Sequence, residues 1–173
     1  MSPAYQVIFA SKVPHSAMSP SATIQELARQ VRQDTIKFLS AASPEWLTWT
    51  PQGTSNHLLW HAGHALWVQD ELCLQLLTGR SELPPDWSEK FGMDCRPVKS
   101  TTDWPSRDQL LAMLATQLDR IVAVCGDADD RQLAQIVNDN GHTLASRILH
   151  GLHDEAKHQG EMYLLIKLRR AAV

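Results

Sequence analysis

Residues 54–78 constrain the fold more than any other stretch, because they are apolar around most of a helical circumference. The segment reads TSNHLLWHAGHALWVQDELCLQLLT, with Ser55 or Asn56 placed to cap its N-terminus and Gly79 placed to end it. A helix that is apolar nearly all round has no face suited to water, so other elements must surround it. We therefore predict a central helix here.

Three other segments show helical periodicity and can cover that helix. Residues 22–41 repeat apolar side chains at helical spacing and offer Ser21 or Thr23 as a cap, and residues 106–125 carry a strong apolar stripe. Residues 142–168 form the fourth segment, which mixes histidine and carboxylate side chains with its apolar ones. Four such helices, with no strand-rich section, predict an all-α fold.

The connections between the predicted helices differ in length. Residues 43–53 form a short connector, and residues 126–141 link the last two helices, with a short extended piece predicted at 132–137. Residues 80–105 form a long loop with several prolines, which we expect to pack over the helices and to act as a lid. The pattern as a whole predicts an up-down-type four-helix bundle with a long crossover loop.

Size and composition narrow the class of protein. We expect residues 1–173 to form one domain, with residues 1–20 as an irregular N-terminal segment broken by prolines. A net charge of −3 without a basic block argues against nucleic acid as a partner. We find no apolar run near the ~18 residues that span a membrane, and no signal-peptide pattern. An odd, widely spaced set of cysteines favours reduced thiols and a cytoplasmic location. These are Cys73, Cys95 and Cys125.

Two of the predicted helices carry side chains that commonly bind metals. The second helix presents three histidines within about 60° of one another on a helical wheel. They are His57, His61 and His64. On the fourth helix, His150, Asp154 and His158 are spaced i, i+4, i+8 and share one broad face. An Asp154/His158 pair with one histidine from the second helix would provide two imidazoles and a carboxylate, as in catalytic zinc or non-heme iron sites.

Each of these side chains also has a structural interpretation. His57 sits at a helix start and suits a capping or surface role, and an isolated histidine in a helix is often a satisfied, partly buried imidazole. Co-occurrence of the residues on two helices is what favours a metal site. Glu161 lies on the side of Asp154 and His158, where it could orient a ligand or act as a base. Glycines 63, 151 and 160 lie inside predicted helices next to or near these residues, which indicates close packing around them.

Two stretches resemble one known family. SNHLLWHAGHALWVQDELCLQLLTG and the later DEAKHQGEMYLL are similar to the DinB-like superfamily of four-helix bundles. That family carries a histidine in a context like WxxGHxxWxxE on its second helix, and an HxxxH pair on its fourth. His64 matches the first position, or His61 if the register shifts, and His158 matches the last. The first member of the pair falls on Asp154, which we favour as a carboxylate ligand over the reserve candidate His150.

The resemblance implies a function as well as a fold. It implies a divalent transition metal (Zn²⁺, Ni²⁺ or Fe²⁺) bound by His64, Asp154 and His158, with Glu161 or His61 as a nearby acid or base. Some relatives are thiol-dependent S-transferases, so we expect a small-molecule substrate, including a low-molecular-weight thiol, and a homodimer. The alternative is a non-catalytic metal-binding or stress-related bundle whose histidines are structural.

Overall fold

The computed structural model describes residues 18–93 and 101–172, and regular structure within these ranges is helical apart from one isolated bridge. The all-α prediction is confirmed for this part of the chain. The predictions made for residues 1–17 and for residues 94–100 of the long loop lie outside the described residues.

The first long helix, α1 (Pro20–Ala41), begins earlier than predicted. Ser19 caps it, with its Oγ accepting a hydrogen bond from the backbone N–H of Ala22 at 3.1 Å. A proline in the first turn suits a helix start, because its φ is already helical and its missing N–H has no partner there. Ser21, predicted as a cap, lies inside the helix. It is buried and donates a hydrogen bond to the carbonyl of Cys125 at 2.5 Å.

The second long helix, α2 (Leu58–Gln69), is the central one. All but one of its residues are buried, as its sequence predicts. His57 caps it, since its Nδ1 accepts a hydrogen bond from the backbone N–H of Trp60 at 3.2 Å. The capping role predicted for Ser55 or Asn56 therefore belongs to the next residue, and the capping interpretation of His57 is confirmed.

The helical run does not stop with α2. It continues through a π-helical turn (Asp70–Leu74) into a last α-turn, α3 (Gln75–Thr78), and ends at Gly79 with a φ of 79°. Glycine adopts this left-handed φ at little cost, so the predicted stop is confirmed. Asp70 then accepts hydrogen bonds from Ser81 Oγ at 2.5 Å and from the Glu82 backbone N–H at 2.9 Å. These bonds anchor the start of the long loop.

The long loop contains a short helix that packs on α2. This helix, α4 (Trp87–Phe91), is joined to α2 by a hydrogen bond of 3.0 Å from Trp87 Nε1 to the Gly63 carbonyl. Trp87 and Phe91 are both buried. The expectation that this loop packs over the helices is thus confirmed for the part that the structure describes.

The remaining helices follow in quick succession. They are α5 (Arg107–Asp127), the four-residue α6 (Asp130–Leu133) and α7 (Leu144–Ala171). Thr143 caps α7 by accepting a hydrogen bond from a backbone N–H in its first turn. The extended piece predicted between α5 and α7 is wrong, because α6 occupies its start and only an isolated bridge between Ile136 and Thr143 follows.

Contacts along the helices show their relative directions. Gln117 Nε2 of α5 donates to the Leu66 carbonyl of α2 at 2.9 Å, and Cys125 Sγ lies 3.8 Å from Cys73 Sγ. Residue numbers rise together in these two pairs, so α2 with its continuation and α5 run in the same direction. The loop between them must therefore return along the length of the helices, which explains why it is long.

A buried ion pair joins the helices at their centre. Arg32 of α1 and Glu155 of α7 are each only 1% exposed, and Arg32 Nε lies 2.9 Å from Glu155 Oε1. Glu155 also accepts hydrogen bonds from Thr35 Oγ1 at 2.7 Å and Gln69 Nε2 at 3.1 Å. Arg32 Nη2 donates to Gln117 Oε1 at 3.0 Å. One network therefore contains side chains from all four long helices, α1, α2, α5 and α7.

One helix approaches the properties of a membrane span. Within the described ranges, only α5 is long and apolar enough by length and composition to cross a membrane. A core helix of a compact fold passes the same test, and α5 packs along α1 with Leu110, Leu114 and Ile121 buried. The expectation that the chain has no membrane partner stays a prediction.

The ion pair predicts a large loss of stability when one partner is removed. Glu155→Gln should lower the free energy of unfolding by about 3–5 kcal/mol, because it leaves the Arg32 charge buried without its carboxylate. Asp34→Asn is the control, since the Asp34–Lys37 pair is exposed and such pairs contribute about 0–1 kcal/mol. Urea unfolding measures both. Additive losses in an Arg32→Met/Glu155→Gln double variant would contradict this account, which expects the double variant to recover stability.

Candidate metal centre

The site forms where α2 and α7 pack against each other in opposite directions. His64 of α2 meets Asp154 of α7, whereas His61, one turn earlier on α2, meets Glu161, two turns later on α7. His158 lies between these two contacts. The i, i+3 spacing on α2 and the i, i+4 and i, i+3 spacings on α7 keep each set on one face of its helix. Antiparallel packing then brings the two faces together.

His64 is held more firmly than any other side chain of the site. Its ring is fully buried and stacks on Trp60, with centroids 4.5 Å apart and an interplanar angle of 18°. Its Nδ1 lies 2.7 Å from the carbonyl oxygen of Phe91, which can only accept a hydrogen bond, so Nδ1 carries a proton. Nε2 is therefore the nitrogen that faces the site, 3.2 Å from Asp154 Oδ2.

This arrangement fits a bound cation. In a neutral His64 ring with its proton on Nδ1, the Nε2 lone pair faces a carboxylate oxygen, and two acceptors at 3.2 Å repel unless a proton or a metal ion lies between them. A backbone carbonyl that fixes the tautomer of a histidine is also the usual support of a metal-bound imidazole. The facing donors His64 Nε2 and Asp154 Oδ2, and the Phe91 carbonyl that fixes the His64 tautomer, are therefore consistent with a metal site.

Asp154 is the carboxylate at the centre of the cluster. Its Oδ2 lies 3.5 Å from His158 Nε2 and 3.2 Å from His64 Nε2, and its Oδ1 lies 3.6 Å from Lys157 Nζ. Hydrogen bonding to His158 first, and to His64 second, holds the pKa of the Asp154 carboxyl far below its usual range. The carboxylate form, which metals require, is thus strongly favoured.

His61 is a deeply buried acid–base group beside His158. It is 1% exposed, and its Nδ1 lies 3.1 Å from His158 Nδ1. Its pKa is lowered well below the ordinary value, chiefly because burial disfavours the charged ring and then because other imidazoles, His158 foremost, lie close by. His61 therefore stays neutral at physiological pH.

Among the residues that the structure describes there are two groups of potential ligands, and His158 belongs to both. One contains His64, Asp154 and His158, and the other contains His61, His158 and Glu161. In each group, one donor atom from every residue lies within 4.8 Å of the others. The structure thus brings together all the residues proposed from the sequence as ligands or acid–base groups, except the reserve ligand His150, which is exposed and belongs to neither group.

Sequence reasoning missed the contribution of α4. An added Cβ at Gly63 would lie 2.1 Å from the Phe91 ring, so only glycine lets α4 approach α2 this closely. That approach places the Phe91 carbonyl on His64. The signal was a glycine in a helix immediately before a candidate ligand. Gly151 also lies close to its neighbours, whereas nothing lies within 4 Å of a Cβ at Gly160.

Glu155 has a different role from its neighbour Asp154. Glu155 is buried in the ion pair with Arg32, whereas Asp154 faces the histidines of α2 and α7. The position of Glu155 on the buried stripe of α7, together with Arg32 on that of α1, was the available signal. Consecutive carboxylates therefore point to different partners, one toward the core and one toward α2.

Comparison with known proteins identifies the family. A model of the DinB superfamily matches residues 27–162, which is most of the chain and includes every proposed ligand. The chain belongs to the DinB superfamily. The resemblance to this superfamily noted in the sequence is therefore confirmed. A search of curated proteins found no match.

A similar solved structure supports the helical fold. The chain is similar to the crystal structure of a conserved protein of a locus from Enterococcus faecalis, with a TM-score of 0.59 and 18% sequence identity. The match covers 86% of this chain and 96% of that one. At this level of identity the likeness concerns the fold alone.

The contact between α4 and α2 predicts opposite effects for two glycine substitutions. Gly63→Ala should lower the free energy of unfolding by about 1–3 kcal/mol, because the methyl group collides with the Phe91 ring. Gly160→Ala is the matched control on α7, and it should raise stability by up to about 1 kcal/mol, because alanine favours helix and meets nothing. Thermal or urea unfolding measures both. Equal effects would argue against a close contact at Gly63.

The buried, neutral His61 predicts a stability that falls in mild acid. Its folded pKa is lowered, so the unfolded chain binds more protons below the unfolded value of about 6.5. Stability is then complete above that pH and is lost as the pH falls below it. In chelator-treated protein, His61→Gln should flatten the profile between about pH 7.5 and 5.5, whereas the exposed His153→Gln should not. Unchanged slopes for both variants would count against a neutral His61.

Proposed function

We propose that this chain is a metal-dependent enzyme of DinB type that uses a divalent transition ion held by His64 Nε2, Asp154 and His158. The observation that carries the proposal is the convergence of these three donors from two helices, with the His64 tautomer set by the Phe91 carbonyl. Two imidazoles and one carboxylate suit Zn²⁺, Ni²⁺ or Fe²⁺ and leave positions for substrate.

The protein residues around the ion would have separate tasks. Trp60 and Phe91 keep His64 in one orientation, and α4 shields that side of the site from water. A bound divalent ion supplies Lewis acidity, which lowers the pKa of a thiol or a water molecule that it binds. His61 and Glu161 lie on the other side of His158, where either can accept a proton from substrate.

We propose a low-molecular-weight thiol and an electrophile as the substrate class. A groove of about 410 Å³ reaches His61 and Glu161, and it is lined by Leu164, Leu165 and Leu168 of α7 on one side and by the segment from Pro51 to Asn56 on the other. In S-transfer the sulfur bonds to the electrophilic carbon, the leaving group departs with its electron pair, and the thiol proton passes to His61 or Glu161. The apolar wall suits the body of the electrophile.

The alternative is a non-catalytic helical bundle that binds metal or serves in stress. One observation favours it. Asp154 has cationic or protonatable partners in His64, His158 and Lys157, so its charge can be balanced by protons alone. In that case the imidazoles are structural.

We further propose a single-domain four-helix bundle in which the long loop is the crossover between the parallel helices α2 and α5. The loop would act as a lid, and the protein would be a cytoplasmic homodimer without nucleic-acid or membrane partners. For the dimer we favour the exposed surface of α7. Leu149 and Tyr163 of α7 are large, exposed apolar side chains that lie outside the groove.

Metal analysis tests the proposed site. Protein purified without a histidine tag should hold at least one equivalent of transition metal per chain, and His64→Ala or Asp154→Ala should lose an equivalent. His150→Ala and His153→Ala are controls, because both residues are exposed on the same helix as Asp154. Metal well below one equivalent, unchanged by the ligand substitutions, would remove the basis for the enzyme and favour the alternative.

A further inference from the structure

His158 has two ring nitrogens, and they face different groups. Nε2 lies 3.5 Å from Asp154 Oδ2, on the side of the proposed metal site. Nδ1 lies 3.1 Å from His61 Nδ1 and 3.8 Å from Glu161 Oε2, on the side of the groove. A single ion bound through Nε2 does not involve Nδ1, which faces His61 and Glu161. In an imidazole both nitrogens can bind metal once the ring has lost its N–H proton.

The second side has its own unsatisfied polar atom. His61 Nε2 is buried and has no hydrogen-bond partner among the residues that the structure describes. A carboxylate oxygen of Glu161 lies only 3.3 Å from it, in a geometry that makes no hydrogen bond. Buried nitrogen atoms without partners are costly, and a cation between a nitrogen and a carboxylate removes that cost.

The spacing of the donors suits one ion. A nitrogen and an oxygen ligand at about 2.0–2.1 Å from a tetrahedral ion lie roughly 3.3 Å apart, which matches the 3.3 Å between His61 Nε2 and Glu161 Oε2. His158 Nδ1 lies 3.8 Å from the same Glu161 oxygen. Glu161 offers its carboxylate from the next turn of α7, with donors of all three residues within 4.8 Å of one another. Lys157, which could have neutralised a carboxylate here, lies against Asp154 instead.

We propose that His61, His158 Nδ1 and Glu161 form a second divalent-cation site, so that the His158 ring lies between two ions. The proposal rests on the proposed function, because His158 Nε2 is assigned to the first ion. The donor set of two imidazoles and one carboxylate selects borderline transition ions such as Zn²⁺, Ni²⁺ or Fe²⁺ over Mg²⁺ or Ca²⁺.

A second ion changes the role of two residues. His61 and Glu161 become ligands, and they no longer serve as a free acid–base pair. Glu161 is 55% exposed and borders the groove, so this second position is the one that a small molecule entering the groove reaches first. The first position lies deeper, beside the fully buried His64.

Zinc stoichiometry tests the proposal directly. Metal-free full-length protein is titrated with Zn²⁺ and followed by calorimetry, with elemental analysis after removal of excess ion. Two equivalents per chain are expected. Glu161→Gln and His61→Phe should each retain one, His64→Phe should retain one, and His158→Phe should retain none. His153→Ala, an exposed histidine of the same helix, should retain two.

Each outcome separates this proposal from the proposed function. One equivalent in the wild type that is lost in His64→Phe but kept in Glu161→Gln overturns the second site and leaves the first. If the wild type binds one equivalent of Zn²⁺ and each of the four ligand substitutions removes it, the two groups share one ion, which also overturns the second site. No binding overturns both. Glu161→Gln keeps the test valid if His61→Phe does not fold, because Glu161 is largely exposed and thermal unfolding can verify that the variant is intact.

Discussion

The buried ion pair between Arg32 and Glu155 is the constraint on which the rest of the structure depends. A charge removed from water must meet its partner, so this pair admits very little change in the rotation of α1 or α7. With Glu155 turned to the core, the preceding residue Asp154 lies about 100° away on the helix and faces α2. The Arg32–Glu155 pair thus sets the rotation at which α7 presents the proposed ligands Asp154 and His158 to α2.

A second constraint comes from the long loop. Because α2 and α5 run in the same direction, the connection between them must return to the end of the bundle where α2 begins. Helix α4 lies in this connection and packs on α2 at Gly63. The carbonyl at the end of α4 then selects the tautomer of His64. A connection that the topology requires therefore also fixes the orientation of a proposed ligand. The groove lined by Leu164, Leu165 and Leu168 lies beside Glu161.

The sequence predicted the helices better than their ends or their interior contacts. The central burial of α2 and the stripes on α2 and α7 follow from periodicity, since 3.6 residues per turn is a local property. The stop at Gly79 follows from the left-handed φ that glycine adopts at little cost. The cap of α1 was placed two or more residues late, because Pro20 starts the helix earlier. The burial of Glu155 does not follow from local sequence, because its partner Arg32 lies 123 positions away in the chain.

The sequence by itself determined which side chains could share a face: His61 with His64 on one helix, and Asp154 with His158 and Glu161 on the other. Only the tertiary structure decided which of them meet. Antiparallel packing of α2 on α7 joined His64 to Asp154 and His61 to Glu161, and left His150 in solvent. The physical reason is that helical spacing follows from local backbone geometry, whereas register between helices follows from burial of groups distant in the chain, above all Arg32 and Glu155.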